Sequence, residues 1–124
     1  MEAIPWTKPS LDTLVHDITD QFEDFPWSWY DGILDPASDV DYCSFSAEAG
    51  RSFRIEVSLD TLLDSILTLY DSTGTALRED DDGGEGWGSL ITWTAPVSGT
   101  YYLQVRPYNP STQTGSYSLI LGVS

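Results

Sequence analysis

Apolar and polar residues alternate with a period of two over most of the chain after residue 31. In the segment 51–59 the apolar side chains fall on one side and the polar ones on the other: Phe53, Ile55, Val57 and Leu59 against Arg54, Glu56 and Ser58. A period of two is typical of a β-strand with one buried face. The segments 100–106 and 117–123 repeat the pattern, so three such strands are predicted.

Five further strands are predicted between turn signals such as Gly74, Gly99 and Gly115. They are expected at these positions: Trp29–Leu34, Val40–Ser46, Ile66–Tyr70, Ala76–Glu79 and Leu90–Thr94. Eight short strands at intervals of roughly ten residues, without a helix between them, are typical of a sandwich. The predicted fold class is therefore all-β, a jelly-roll-like antiparallel β-sandwich.

The N-terminal thirty residues have a different character. They contain three prolines, two acidic clusters and several aromatic residues without a sustained period. Helical spacing relates four apolar positions and predicts one short helix at Leu11, Leu14, Val15 and Ile18. We therefore expect an irregular leader or linker at residues 1–31 and one sandwich domain at residues 32–124, a size that suits a single core.

The net charge of the chain limits the classes of partner that it can bind. Twenty Asp and Glu residues against five Lys and Arg give a net charge of −15, which repels nucleic acid and acidic membranes. No apolar run is long enough to insert in a membrane. The balance favours cations, basic protein surfaces or neutral polymers such as polysaccharides as partners, and it also serves solubility. Residues 1–10 lack the regions of a signal peptide, so an exported form is expected to take its signal from a longer precursor.

The inventory of reactive side chains argues against an enzyme. His16 is the single histidine, Lys8 the single lysine and Cys43 the single cysteine. A catalytic triad would have to use His16, around which nothing suggests a nucleophile, and zinc is disfavoured for want of ligands. Cys43 lies in a predicted strand, where we expect it to act as a small buried apolar residue.

Several segments, in this order, resemble the bacterial pre-peptidase C-terminal domain family. They are Asp39-Val-Asp-Tyr-Cys-Ser-Phe45, the hairpin 64–77, Ser98-Gly-Thr-Tyr-Tyr-Leu-Gln-Val105 and Gly115-Ser-Tyr-Ser-Leu119. The resemblance implies a non-catalytic domain appended to secreted proteases and other exported proteins, and hence a secreted or cell-surface location. It also implies attachment to polymers such as collagen or chitin, assistance in secretion, and calcium binding as the properties to expect. The acidic linker motif of calcium-binding members is matched poorly by Glu23–Pro26.

A calcium site is the sharpest chemical hypothesis. Ca²⁺ takes six to eight oxygen ligands, and a bent acidic loop supplies them. The loop 80–85 offers Asp80, Asp81 and Asp82 beside two glycines, and Asp64 precedes the neighbouring strand. The loop is not an EF-hand, because Ile91 stands where the closing Glu belongs. The alternative is a solvated loop that serves solubility.

A weaker second candidate for calcium is the group Asp35, Asp39 and Asp41, for which capping of a turn is the alternative. Exposed aromatic rings can stack on sugars or peptides, and we expect such contacts from Trp87, Tyr108 and Trp27. Three other rings are expected in the core, at Trp29, Trp93 and Tyr101.

The sequence thus predicts a calcium-stabilised binding or accessory module of an exported protein. It would attach to a protein or polysaccharide surface or assist secretion. The alternative is a structural subunit of a filament or surface layer, in which the leader docks on a neighbouring copy by adding a strand to its sheet.

Overall fold

The structure, a computed structural model, describes residues 15–17, 27–34, 40–81, 83–84, 88–109 and 114–123, and only the backbone at 15–17 and 27–29. These ranges contain nine strands, with the following bounds: β1 (Val15–Asp17), β2 (Trp27–Leu34), β3 (Asp41–Ala47), β4 (Ser52–Leu59), β5 (Ser65–Tyr70), β6 (Ala76–Asp80), β7 (Leu90–Thr94), β8 (Gly99–Pro107) and β9 (Gly115–Val123).

The strands form two sheets. Sheet A has the order β1-β3-β8-β5-β6, and sheet B has the order β2-β9-β4-β7. Among the described strands, every pairing is antiparallel except that of β1 with β3. Without β1, each sheet has four strands, and their connections are those of a jelly roll, in which two Greek keys face each other. The predicted fold class is therefore confirmed.

All eight predicted strands are present, with bounds within two residues of those expected. Strand β2 begins at Trp27 and runs across the expected boundary between residues 31 and 32. The division into a leader and a domain stays a prediction, although part of the expected leader belongs to sheet B.

The prediction of a short helix near residue 15 is wrong for Val15, the one of its four residues that the structure describes. Val15–Asp17 form strand β1, which pairs in parallel with Tyr42–Ser44 of β3; Leu11, Leu14 and Ile18 lie outside the described residues. A helix this short is marginal without strong packing, whereas the edge of β3 offers unpaired backbone groups that a passing segment can bond. The sheet edge therefore decides the conformation here, against the apolar spacing.

The core lies between the sheets and collects the alternate residues that the period of two predicts. Its buried members from β3, β4, β8 and β9 are Cys43, Phe45, Ala47, Phe53, Ile55, Val57, Tyr101, Leu103, Val105, Tyr117, Leu119 and Leu121. Trp93 and Tyr101 are buried as expected, and the Trp29 side chain lies outside the described residues. Each of these four strands thus contributes one apolar face to the core, as expected for two packed sheets.

One end of the sandwich is built from aromatic rings. Phe45 of sheet A lies 5.1 Å from Phe53 and 6.4 Å from Trp93 of sheet B, measured between ring centroids. Tyr101 joins them, with its ring centroid 4.7 Å from that of Trp93. We call these four residues the aromatic end. Edge-on and offset ring contacts of this kind stabilise the fold beyond the burial of apolar surface.

Strand β5 is buried on both faces. Leu67 and Leu69 point into the core, and Ile66, Thr68 and Tyr70 on the opposite face are no more than 5 % exposed. The neighbouring β8 behaves alike, because Gln104 and Arg106 are 1 % and 2 % exposed on its outer side. The outer face of sheet A is therefore enclosed at its central strands.

Candidate functional site

The acidic loop that follows β6 is anchored by its first carboxylate. Asp80 Oδ2 accepts hydrogen bonds from the backbone amides of Gly83, at 2.7 Å, and Leu90, at 2.8 Å. Because Asp80 ends β6 in sheet A and Leu90 opens β7 in sheet B, this carboxylate joins the edges of the two sheets. Hydrogen bonds to an ionised acceptor are among the stronger ones, so Asp80 has a structural role at this turn.

A pair of buried serines connects the same loop to the start of β5. Ser89 Oγ lies 2.9 Å from Ser65 Oγ and 2.8 Å from the backbone oxygen of Asp81. Asp64 directly precedes Ser65, and its carboxylate accepts the Ser65 amide at 2.8 Å. Asp64 and Asp81 therefore belong to one hydrogen-bonded region, and their shared role as calcium ligands stays a prediction.

These contacts leave the calcium prediction open. Asp82 and the rest of the loop at 85–87 lie outside the described residues. Of the four expected ligands, the structure therefore describes Asp64, Asp80 and Asp81. Within the described ranges no group of three or more His, Cys, Asp and Glu side chains is arranged to hold a metal ion. Of the proposed ligands, Asp80 and Asp64 already accept backbone amides.

The second acidic group is seen through one member, because Asp35 and Asp39 lie outside the described residues. Asp41 in β3 accepts a hydrogen bond of 2.6 Å from the hydroxyl of Tyr117 in β9, which links the two sheets. Burial, together with this bond to Asp41, raises the pKa of Tyr117 far above its usual range, so the hydroxyl keeps its proton. Gly32 of β2 lies against the Tyr117 ring, and any Cβ there would collide with it.

Asp80, Asp81, Asp64, Asp41 and Tyr117 lie at the opposite end of the sandwich from the aromatic rings, and we call these five residues the polar end. The strand registers establish the separation, since Asp41 and Phe45 stand at opposite ends of β3 and pair with Val105 and Tyr101 of β8. Tyr117 and Phe53 are separated in the same way along the β4–β9 pairing. The candidate site carboxylates that the structure describes thus lie at one end.

A pocket opens at the polar end on the outer side of sheet A. Its volume is about 360 Å³, within the range of roughly 300–1,000 Å³ that is usual for ligand sites. The described residues that line it come from β5, β6, β8 and the segments that follow β6 and β8: Ile66, Glu79, Asp80, Asp81, Arg106 and Tyr108. We call this the acidic pocket, because three carboxylates face a single guanidinium.

Register explains why these residues meet. Ile66 of β5 stands opposite Arg106 of β8, and Thr68 stands opposite Glu79 of β6. The Thr68 hydroxyl donates to Glu79 Oε2 at 2.9 Å, which fixes that carboxylate on the outer face. The sequence pattern placed Arg106 on the outer face of its strand but gave no sign that Glu79 and Ile66 would join it.

Of the aromatic residues expected to contact a ligand, Tyr108 is the one whose side chain is described. It is 44 % exposed and lines the acidic pocket. Trp87 and the side chain of Trp27 lie outside the described residues. Tyr108 thus combines two features that the sequence treated separately, an exposed ring and a neighbouring acidic group.

Cys43 is 1 % exposed in the core, as expected for a small apolar residue. Burial, and to a lesser extent the nearby Asp41 carboxylate, raise the pKa of its thiol from 9.0 to about 12. A thiol that stays protonated at neutral pH is a poor nucleophile and a poor metal ligand. Cys43 therefore belongs to the core and not to the candidate site.

Comparison with protein families gives one assignment. The model of the bacterial pre-peptidase C-terminal domain matches residues 39–107, more than half of the chain. The chain belongs to the bacterial pre-peptidase C-terminal domain family. Domains of this family are non-catalytic parts of secreted proteases, and the match spans β3 to β8, including most of the acidic pocket.

One sequence relative contains a similar segment within a much longer protein. A probable subtilase-type serine protease of Deinococcus radiodurans is 40 % identical over 75 residues, which cover 57 % of this chain and 10 % of the protease. The chain thus spans about a tenth of that relative, and the likeness concerns one part of it.

In the part of the chain that the structure describes, no helix is long and apolar enough to cross a membrane.

Two solved structures share the fold at low sequence identity. The pre-peptidase C-terminal domain of a Bacillus anthracis collagenase has a TM-score of 0.69 at 17 % identity, with 94 % of this chain and 100 % of that chain covered. A periplasmic inhibitor of g-type lysozyme from Aeromonas hydrophila has a TM-score of 0.68 at 17 % identity, covering 89 % and 97 %. At such identities the likeness establishes the fold alone.

Proposed function

We propose that this chain is a non-catalytic accessory module of an exported protein, and that it attaches that protein to a polymer or protein surface or assists its secretion. The observation that carries the proposal is the family match over residues 39–107. The limited coverage of the Deinococcus radiodurans protease supports it, because the shared segment is a small part of a much longer protein. The strongly acidic surface favours basic or neutral partners.

Attachment is tested by co-sedimentation of the purified chain with insoluble collagen, chitin and cellulose. An acidic protein of similar size and charge but unrelated fold serves as the control. Saturable retention on one polymer, above that of the control, supports attachment. Equal and weak retention on all three polymers would leave assistance in secretion, which is measured as the exported fraction of a fused protease with and without the module.

Calcium stabilisation is a second part of the proposal. It is supported by the presence of Asp80 and Asp81 in one pocket and by the serine pair that ties Asp64 to the same region. A site with a dissociation constant near 10⁻⁴ M would add about 1.4 kcal/mol in roughly 1 mM calcium and raise Tm by about 5 °C. Thermal melts in chelator and in calcium measure this shift.

The choice of variant matters in that experiment. An Asp80→Asn change keeps one acceptor oxygen but removes the charge that strengthens the two amide hydrogen bonds at the turn, so it would lower Tm with or without metal. Asp81→Asn combined with Asp82→Asn changes the proposed ligands and keeps Asp80. Loss of the calcium-dependent shift in this double variant, with little change of Tm in chelator, supports the site; an equal shift in both proteins contradicts it.

The subunit alternative has one observation in its favour. Strand β1 joins the edge of β3 as an added strand, and a contact of this kind can be exchanged between identical copies. Light scattering during size-exclusion chromatography compares the full chain with a variant that begins at residue 27, so that β2 is kept. Oligomers that depend on concentration and disappear with the deletion support the alternative, whereas a monomer in both cases contradicts it.

A further inference from the structure

We propose that the acidic pocket receives a lysine or arginine side chain of a partner protein, presented beside an apolar residue. This inference rests on the proposed function, because it names the partner chemistry of one attachment site. The argument uses the charge of the pocket, the way its rim is held in place, and the apolar side chains beside it.

Charge favours a cationic group. Among the described residues that line the pocket, Glu79, Asp80 and Asp81 place three carboxylates against the one guanidinium of Arg106. Arg106 is almost fully buried, whereas Glu79 is exposed and Asp80 and Asp81 are partly exposed. A ligand that approaches from solvent therefore meets carboxylates before it meets the guanidinium, and the whole chain adds a net charge of −15 that attracts basic partners.

The rim is held by hydrogen bonds that exist without a ligand. Thr68 donates to Glu79, and the amides of Gly83 and Leu90 donate to Asp80. Ser89 holds the backbone of Asp81 at 2.8 Å. A site whose side chains are already positioned loses less entropy on binding than one that must be ordered, and this separates the acidic pocket from a merely acidic stretch of surface.

Apolar contacts are available to the rest of such a side chain. Ile66 lies in the pocket wall, and the ring of Tyr108 is 44 % exposed beside it. The Tyr108 amide donates to the backbone oxygen of Asp64 at 3.4 Å, which holds Tyr108 beside the start of β5. Long basic side chains bury their aliphatic stems along such surfaces while the charge reaches a polar group, and Tyr is among the residues enriched in binding hot spots.

The probe is a capped heptapeptide that contains two leucine–lysine pairs, and its control has norleucine in place of both lysines. Norleucine keeps the aliphatic stem and lacks the charge. Both peptides are titrated in chelator into the isotopically labelled full chain, and amide chemical shifts are followed by NMR. We expect saturable shifts at Ile66, Asp80, Asp81 and Tyr108 with the lysine peptide. The norleucine peptide should produce none.

Matched variants separate the pocket from general attraction by negative charge. Glu79→Gln removes one pocket charge and keeps an oxygen that can accept from Thr68, whereas Glu48→Gln removes the same charge from the exposed turn between β3 and β4. An ion pair near the surface contributes about 0.2–1 kcal/mol, so Glu79→Gln should weaken binding by roughly 1.5- to 5-fold and Glu48→Gln by less. Tyr108→Ala should weaken it as well, with Val97→Ala as the control for an exposed apolar residue.

Three results would overturn the inference: shifts spread evenly over the acidic surface, equal weakening by Glu48→Gln and Glu79→Gln, or equal binding of the norleucine peptide. The outcome is independent of the attachment experiment. If the Glu79→Gln/Tyr108→Ala double variant still sediments with a polymer as the unmodified chain does, the pocket is not the attachment site and the proposed function stands. If neither protein sediments while the peptide binds at the pocket, the pocket stands and attachment to that polymer fails.

Discussion

The two ends of the sandwich join the same two sheets by different means. At the aromatic end, Phe45 of sheet A packs on Phe53 and Trp93 of sheet B. At the polar end, the hydroxyl of Tyr117 bonds Asp41 at 2.6 Å. Burial of area is non-directional and grows with the size of the side chains, whereas a hydrogen bond to a carboxylate depends on the placement of a few atoms.

This difference has a consequence for where binding chemistry can lie. The four rings of the aromatic end are buried, and the Tyr101 hydroxyl already donates to the backbone oxygen of Val97, so this end contributes mainly to stability. At the polar end, Asp80 and Asp81 are partly exposed while Asp64 is buried with a hydrogen bond, and Asp80 shows that one carboxylate can join two sheets and face a pocket at once. The proposed binding pocket therefore lies at the end that hydrogen bonds hold together, away from the packed rings.

The largest expected effect tests the aromatic end. Phe45 is fully buried and contacts three other rings, so Phe45→Ala should lower the free energy of unfolding by about 3–5 kcal/mol. Urea denaturation measures the loss as a lower midpoint at unchanged slope. Val97→Ala, at a residue that is 63 % exposed, should stay within about 0.5 kcal/mol. If Phe45→Ala does not fold, Phe45→Leu gives a smaller loss in the same direction.

The next effect tests the polar end. Tyr117→Phe removes the hydroxyl that donates to Asp41 and should cost about 1.5–3 kcal/mol, as hydrogen bonds to charged groups do. A double-mutant cycle with Asp41→Asn measures the coupling, which should be at least about 0.5 kcal/mol. Tyr108→Phe, at an exposed tyrosine, is the control. A loss larger than that of Phe45→Ala would show that the polar end is the stronger connection between the sheets.

The sequence predicted the buried apolar residues better than the contacts of the polar end, because those contacts depend on the register between neighbouring strands. Alternation in β4 and β9 identified their buried residues because it depends on neighbours along the strand. The contact between Asp41 and Tyr117, and that between Thr68 and Glu79, depend on which residues stand opposite each other in space. A shift of one residue would move each to the other face, and local pattern does not specify that choice.

The same limit explains the missed parts of the acidic pocket. Asp80, Asp81 and Tyr108 were predicted as candidates from their own chemistry, an acidic loop and an exposed ring. Glu79 and Arg106 belong to ordinary strand patterns and join the site through the β5–β6 and β5–β8 pairings. The apolar residues on both faces of β5, Ile66 and Tyr70 on one and Leu67 and Leu69 on the other, were a usable signal, since strands buried on both faces lose their polar alternation.

The third effect is a dependence on alkaline pH. The unfolded chain releases the Cys43 proton near pH 9, whereas the folded protein, in which burial raises the thiol pKa, keeps it until about pH 12. The folded state then binds more protons, so stability is complete below pH 9 and falls as pH rises, by about 1.4 kcal/mol per pH unit in that window. Urea midpoints measured between pH 8 and pH 10 follow this loss.

Cys43→Ala isolates that contribution. Tyr70 and Tyr117 also have pKa values raised by burial, from 10.0, so below pH 10 the cysteine should account for most of the slope. The alanine variant should therefore show a flatter dependence between pH 9 and pH 10, whatever its stability at neutral pH. An unchanged slope would mean that the thiol is not the group that opposes ionisation in the core, and it would remove Cys43 from this comparison.

The smallest effect concerns a carboxylate at the aromatic end. Asp71, in the turn after β5, accepts the Thr73 hydroxyl at 2.6 Å and the backbone amides of Thr73 and Thr75. These bonds, the hydroxyl of Thr73 first, hold its pKa below the usual 3.8. The folded state therefore favours the ionised form, and the stabilisation is present above pH 3.8 and lost as pH falls. Asp71→Ala should cost at most about 1 kcal/mol near neutral pH.

The pH dependence decides what that small loss means. The difference between Asp71→Ala and the unmodified chain should shrink as pH falls below 3.8, because protonation of Asp71 weakens, in the unmodified chain, the hydrogen bonds that the alanine variant already lacks. Asp71→Asn keeps an oxygen for the turn and should lose less at neutral pH, and its difference from the unmodified chain should change over the same pH range, because Asp71 is the group that titrates. Asp71 would then stabilise only its own turn, unlike Asp80, which bonds across the two sheets. If Asp71→Ala cost as much as Tyr117→Phe, carboxylates would hold both ends of the sandwich, and the division between them would fail.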